Sequence, residues 1–253
     1  GYEGANGTAC VPCLAGTWCY GGNKTHCVAD SVSNPYSWAI TDCLCDPGFT
    51  GPDGGACDGC AAGRYKPQNS SYACTLCEAG TWSWLTEADS ALTCVLCPLY
   101  SSSLAGSDNE TDCFCLAGYT GPNGGPCPAC IAGTWKGTNG TAACTECTAG
   151  TYSATLAATS SATCLTCPTG SQSLAGAGAI TKCFCNAGWT GPDGQPCSQC
   201  AAGTYKAGTG SQACTPCAKD YYSTAIGQTS DATCVACPAN TTAPAGSSAL
   251  TDC

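Results

Sequence analysis

Eight cysteines recur along this chain at a fixed interval of 70 residues, and no other feature limits its fold as tightly. Cys45, Cys115 and Cys185 share one frame, as do Cys57, Cys127 and Cys197, and Cys43 shifts onto Cys113, Cys183 and Cys253. No residue is inserted or lost between copies, so every loop between cysteines keeps its length. That is the mark of a repeat protein, whose units touch mainly their neighbours. The frame predicts a shortened, N-terminally incomplete repeat at 1–43, then repeats at 44–113, 114–183 and 184–253. Equal loops between covalent staples predict an extended rod that presents the same surface at a fixed rise and rotation.

Only 25 of the 253 residues are Val, Leu, Ile or Phe, and Met is absent. A tenth of the chain cannot bury enough apolar area to offset the conformational entropy of ordering the rest. With 33 Gly and 15 Pro the composition leans toward disorder, and 29 cysteines reverse that expectation. Cross-links must stand in for the core. A bridge closing a loop of ~15 residues removes roughly 3 kcal/mol of unfolded-state entropy in the simplest treatment. The predicted class is therefore small and disulfide-rich, with short β-hairpins and almost no helix.

Disulfides at this density place the chain in an oxidising compartment, so it is expected to be extracellular or at a cell surface. Six N-glycosylation acceptor sequences agree: Asn6, Asn23, Asn69, Asn109, Asn139 and Asn240, with Asn34 ruled out by Pro35. Asn69 and Asn139 occupy equivalent repeat positions. No apolar run is long enough to span a membrane, and no charged-then-apolar leader opens the chain. A net charge of −10 without a basic patch argues against nucleic acid as a partner.

Within one unit, Pro52-Asp53-Gly54 supplies the residues of a type I turn between Cys45 and Cys57. The segment Cys-x-Cys-x-x-Gly-aromatic-Thr-Gly-Pro, at Cys43 to Pro52, Cys113 to Pro122 and Cys183 to Pro192, resembles the C-terminal loop of an EGF-like domain. Cys-x-Ala-Gly-Thr-(Tyr/Trp), at Cys130 to Trp135, Cys147 to Tyr152 and Cys200 to Tyr205, is similar to the cysteine-rich modules of ephrin receptors and the TNF-receptor family. Tandem arrays of this kind occur on surface and flagellar-hair (mastigoneme-like) proteins of algae and other protists.

Spacing alone does not fix the bridges. The EGF-like order implied by the resemblance joins Cys77 with Cys97 and Cys94 with Cys113. Its repeats are Cys147 with Cys167, Cys164 with Cys183, Cys217 with Cys237 and Cys234 with Cys253, and the shortened unit would join Cys13 with Cys27 and Cys19 with Cys43. Sequential pairing, Cys77 with Cys94 and Cys97 with Cys113, is the rival. Both orders share Cys45 with Cys57, Cys60 with Cys74, Cys115 with Cys127, Cys130 with Cys144, Cys185 with Cys197 and Cys200 with Cys214. Cys10 is left without a partner in the segment, because its mate would map before Gly1. Both ends read as cut from a longer array.

Three features invite a chemical reading. The Cys-x-x-Cys pairs at 57/60, 74/77 and 94/97 have the shape of a zinc ribbon, but they interleave with EGF-like loops and glycosylation sequences, and no metal site is expected. His26 is the sole histidine and has no second one to assist it. Trp18, Tyr65, Trp82, Trp135, Tyr152 and Tyr205 are expected to cover disulfides as each unit's small core, with Phe49, Tyr119 and Trp189 doing the same in the EGF-like loop. No catalytic residue and no cofactor is predicted. The sequence reading is a glycosylated, stapled structural rod that assembles with copies of itself or other fibre proteins into a fibre, sheath or flagellar hair. Its alternative is a ligand-binding or adhesion ectodomain, which should set one unit apart from the rest. On this reading the units share the same sparse charge.

Overall fold

The computed structural model describes residues 1–4 and 11–253, so Asn6 and Cys10 lie outside the described residues. The described chain forms two compact units, Gly1–Leu116 with Gly121–Cys127, and Ala117–Thr120 with Pro128–Cys253. Each is built the same way. Among the described residues there are thirteen two-stranded antiparallel sheets, with strands of two to four residues, seven 3-10 turns and no α-helix.

Fourteen disulfides each close one loop, and each joins a cysteine to the next one along the described chain. The pairs shared by both sequence schemes are present as written. The EGF-like order is not. Cys77 bonds Cys94 and Cys97 bonds Cys113, with Cα atoms 5.7 Å apart in both. In the later repeats Cys147 bonds Cys164, Cys167 bonds Cys183, Cys217 bonds Cys234 and Cys237 bonds Cys253. In the shortened unit Cys13 bonds Cys19 and Cys27 bonds Cys43.

Local geometry separates the two cysteines of each pair. Successive side chains alternate sides, so two cysteines three residues apart point to opposite sides. Cys94 and Cys97 flank the strand Val95–Leu96, which pairs with Thr81–Trp82. Of these, Cys94 turns back to Cys77 and Cys97 forward to Cys113. Each Cys-x-x-Cys hands the chain from one closed loop to the next.

Each 70-residue repeat thus resolves into four bridged hairpins of one pattern. The third residue after the opening cysteine has a positive φ in all fourteen, between +57° and +86°. Glycine fills ten of these positions, and Asp30, Tyr100, Asp220 and Asn240 fill the others. Only glycine adopts that region without cost, which explains the recurring Ala-Gly step. The same residue docks the following hairpin. The N–H of Gly63 donates to Ser83 O at 2.8 Å, and Gly63 O accepts from the N–H of Cys77 at 2.8 Å. Gly133 and Gly203 repeat this with Ser153 and Cys147, and with Ser223 and Cys217.

The buried interior is small. All the large side chains with under 2% exposure are cysteines, and the other buried apolar residues are Ala88, Ala158, Ala177 and Ala243. The nine aromatics expected to form the core, Trp18, Phe49, Tyr65, Trp82, Tyr119, Trp135, Tyr152, Trp189 and Tyr205, are half-buried instead. Sulfur occupies the centre.

Candidate functional site

The sixth residue after the opening cysteine is turned toward the interior of its hairpin. Six hairpins use serine there: Ser33, Ser83, Ser103, Ser153, Ser173 and Ser223 are all buried. One hairpin per full repeat uses lysine. Lys66, Lys136 and Lys206 lie 70 residues apart and are only 3, 3 and 4% exposed. The Cys45–Cys57 loop needs glycine there, since a Cβ at Gly51 would lie 2.1 Å from Ala56 O.

The lysine ammonium is held by backbone oxygens. Lys66 Nζ donates to Ser70 O at 2.6 Å, Cys45 O at 3.1 Å and Asp46 O at 3.4 Å, and closely to Phe49 O. Lys136 Nζ donates to Tyr119 O at 2.6 Å and closely to Gly140 O, and Lys206 Nζ to Trp189 O at 2.7 Å and closely to Gly210 O. Tyr119 and Trp189 correspond to Phe49, and Gly140 and Gly210 to Ser70. Each ammonium therefore ties an EGF-like loop to the hairpin that follows it.

Burial pushes all three lysines below the ordinary lysine value. Nearby Asp46 opposes the shift at Lys66, and Asp193 opposes it at Lys206. The position of Asp46 is Leu116 and Asn186 in the next copies, so a counter-charge there is not part of the design. Among the described residues the only ion pair is Lys24 with Glu3, at 3.7 Å. The lysines act as internal, non-covalent staples. Sequence reasoning missed them, although three of the seven basic residues recur in register.

The five described acceptor asparagines, Asn23, Asn69, Asn109, Asn139 and Asn240, are all exposed. Three of their side chains have local partners. Asn69 Nδ2 donates to Asp46 Oδ1, Asn139 Oδ1 accepts from the N–H of Ala117, and Asn109 Oδ1 accepts from the N–H and Oγ1 of Thr111. His26 is exposed on the strand Asn23–His26. The cysteines of the zinc-ribbon spacing are in disulfides, and among the described residues no group of three or more His, Cys, Asp or Glu is arranged to hold a metal.

Two shallow grooves recur with the repeat. Tyr65, Thr81 and Cys94 line a groove of about 260 Å³, and their counterparts Tyr205, Tyr221 and Cys234 line one of about 370 Å³. Small-molecule sites run from ~300 to 1,000 Å³ and converge several polar groups. The first groove falls below that range and the second near its bottom, and neither brings together an acid–base pair; a third cleft, of about 400 Å³, is lined by Leu174, Lys182, Phe184 and Asp193. No helix among the described residues is long and apolar enough to cross a membrane.

Residues 207–253, which contain the last two hairpins, match the family described as tyrosine-protein kinase ephrin type A/B receptor-like. A stretch of 87 residues is 31% identical to Cysteine repeat modular protein A of Toxoplasma gondii, covering 32% of this chain. The chain spans about 2% of the length of that curated relative. With its fourteen tandem bridged hairpins, the chain is a cysteine-rich repeat protein.

Proposed function

We propose that the chain is an extracellular structural segment, a glycosylated and disulfide-stapled repeat that assembles laterally or end to end into a surface fibre, sheath or flagellar hair, and that it is not an enzyme. One observation carries this reading. The same bridges, the same buried lysine and the same Gly-Pro turns at Gly51-Pro52, Gly121-Pro122 and Gly191-Pro192 recur every 70 residues. A contact made by one copy is available to all, and weak contacts then add as avidity. Contacts that do not close generate open fibres. Imaging and sedimentation of the natively produced protein test this, with filaments the expected result. Glycosylation at the exposed asparagines should raise the mass well above the 25.0 kDa of the polypeptide. A monomer at high concentration would overturn the structural reading.

A second reading, a binding or adhesion segment, is favoured by one observation: the first full repeat differs from its copies in surface chemistry.

A further inference from the structure

Tyr72, Trp84, Leu92, Leu96 and Leu99 are 80, 68, 93, 78 and 75% exposed. Shifted by 70 residues they become Ala142, Ala154, Ala162, Thr166 and Thr169, and by 140 residues Gln212, Thr224, Ala232, Ala236 and Ala239. The fold therefore accepts small or polar residues at all five positions. In the first full repeat they are large and apolar without any need of the hairpin for them.

They lie on three successive bridged hairpins. Trp84 and Leu92 lie within the Cys77–Cys94 loop, Leu96 is on the strand that closes its hairpin, and Leu99 opens the next one. Tyr72 belongs to the Cys60–Cys74 loop just before them. The Cys77 and Cys97 hairpins are fastened together by Gly80 N–H to Ser103 O at 3.0 Å, Cys97 N–H to Gly80 O at 2.9 Å and Gly106 N–H to Cys77 O at 2.8 Å. Taking roughly 150–200 Å² for each large side chain, the five expose about 600–800 Å². That sum approaches the ~800 Å² each partner gives to a standard interface.

The charge around them is equally distinctive. Residues 67–135 hold six carboxylates and no Lys or Arg, whereas the equal stretch 137–205 holds two carboxylates and one Lys. Glu78, Glu87 and Asp89, closest in sequence to the apolar cluster, are exposed, and none is in an ion pair. This corrects the sequence-based view that the units share the same charge. A second copy, with net charge −10, would bring like charges together here. An anionic lipid surface would do the same.

We propose that the paired hairpins of the first full repeat dock a polypeptide segment that presents apolar side chains flanked by Lys or Arg. The proposal rests on the binding reading and names the chemistry of its partner. Apolar contact supplies the affinity, and the carboxylate field steers the approach and excludes acidic partners.

The test uses the full chain, with calorimetry as the readout and two synthetic amphipathic peptides as probes, one of Leu and Lys, one of Leu and Glu. The variant W84A/L92A/L96T/L99T transplants second-repeat residues, so it keeps the fold. The Leu/Lys peptide should bind the native chain and lose at least tenfold in affinity to this variant. The variant E78T/E87A/D89T, also transplanted, should flatten the salt dependence of binding. Equal binding of the Leu/Lys peptide to the native chain and the apolar transplant overturns the proposal. Preference for the Leu/Glu peptide overturns the partner's charge and leaves a binding surface standing. Absence of patch-dependent binding by either peptide overturns the surface itself, and self-association or capture by phosphatidylserine vesicles that the transplant abolishes overturns the basic peptide as its occupant.

Discussion

Replacing Lys66 by Met isolates the ammonium, because the thioether keeps most of the stem and removes only the donor. Phe49 O and Ser70 O lose a charged partner in a site that is 3% exposed. Each acceptor left unsatisfied on burial costs ~1–3 kcal/mol, and no longer desolvating the ammonium returns part of that, so the net loss is about 2–4 kcal/mol. The lowered pKa is consistent with this. The charge is less comfortable here than in water, yet the carbonyls have no other donor of that strength. The loss should be local, since neighbouring hairpins in a repeat array open semi-independently. Amide hydrogen exchange reads it directly at Ser70 N–H, which donates to Cys45 O, and at Gly48 N–H, which donates to Lys66 O. At ~1.4 kcal/mol per decade, both amides should exchange roughly 30- to 700-fold faster. Gly118 and Gly188, which bond the carbonyls of Lys136 and Lys206, should be unchanged. Unaltered protection at Ser70 and Gly48 would refute the stapling role. Slower exchange would show that burying the charge costs more than its bonds return.

The cage also sets a pH dependence. Unfolded lysine keeps its proton to its ordinary value and the buried ones release it earlier, so in the window between, the unfolded chain binds more protons and stability rises with pH. Carbon-13 titration of Lys66, Lys136 and Lys206 should show three depressed transitions, and titration at the ordinary value would contradict the burial argument. Non-reducing peptide mapping should recover Cys77 linked to Cys94, and the C77S/C94S variant should leave Cys97–Cys113 intact while losing ~3 kcal/mol of local stability. Gly63→Ala and Gly80→Ala have similar φ, +75° and +86°, but a Cβ at Gly63 lies 2.3 Å from Gly106 O whereas at Gly80 the nearest atom is Ser102 Oγ at 3.6 Å. Denaturant titration should therefore give a loss of ~1–2 kcal/mol at Gly80, from conformation alone, and a larger one at Gly63.

Much of the fold is legible because cysteine spacing is a discrete signal. The bridges Cys45–Cys57 and Cys60–Cys74 follow from it under either scheme. The interlaced order at Cys77, Cys94, Cys97 and Cys113 comes from resemblance, and the structure joins each cysteine to its sequential neighbour instead. The aromatics are misplaced when ring size alone suggests a core, whereas the disulfides fill the centre and leave rings such as Tyr65 half outside. The lysines are hidden by habit, since a lysine in a polar loop is normally solvated. Only its backbone surroundings show Lys66 to be interior. The apolar set around Trp84 is present in the sequence but invisible while the repeats are compared by their cysteines alone.

The sequential bridges also bear on how such a chain matures. As the polypeptide lengthens, the partner that each opening cysteine needs is the next one to emerge. No bond must wait for a distant segment, and none passes through a loop already sealed. Oxidation can keep pace with synthesis, hairpin by hairpin, with little need for an isomerase to undo early mistakes. The gene can gain or lose whole closed loops without disturbing the pairing of the others. A shortened loop such as Cys13–Cys19 is then a local variation that leaves the rest of the chain's assembly schedule unchanged.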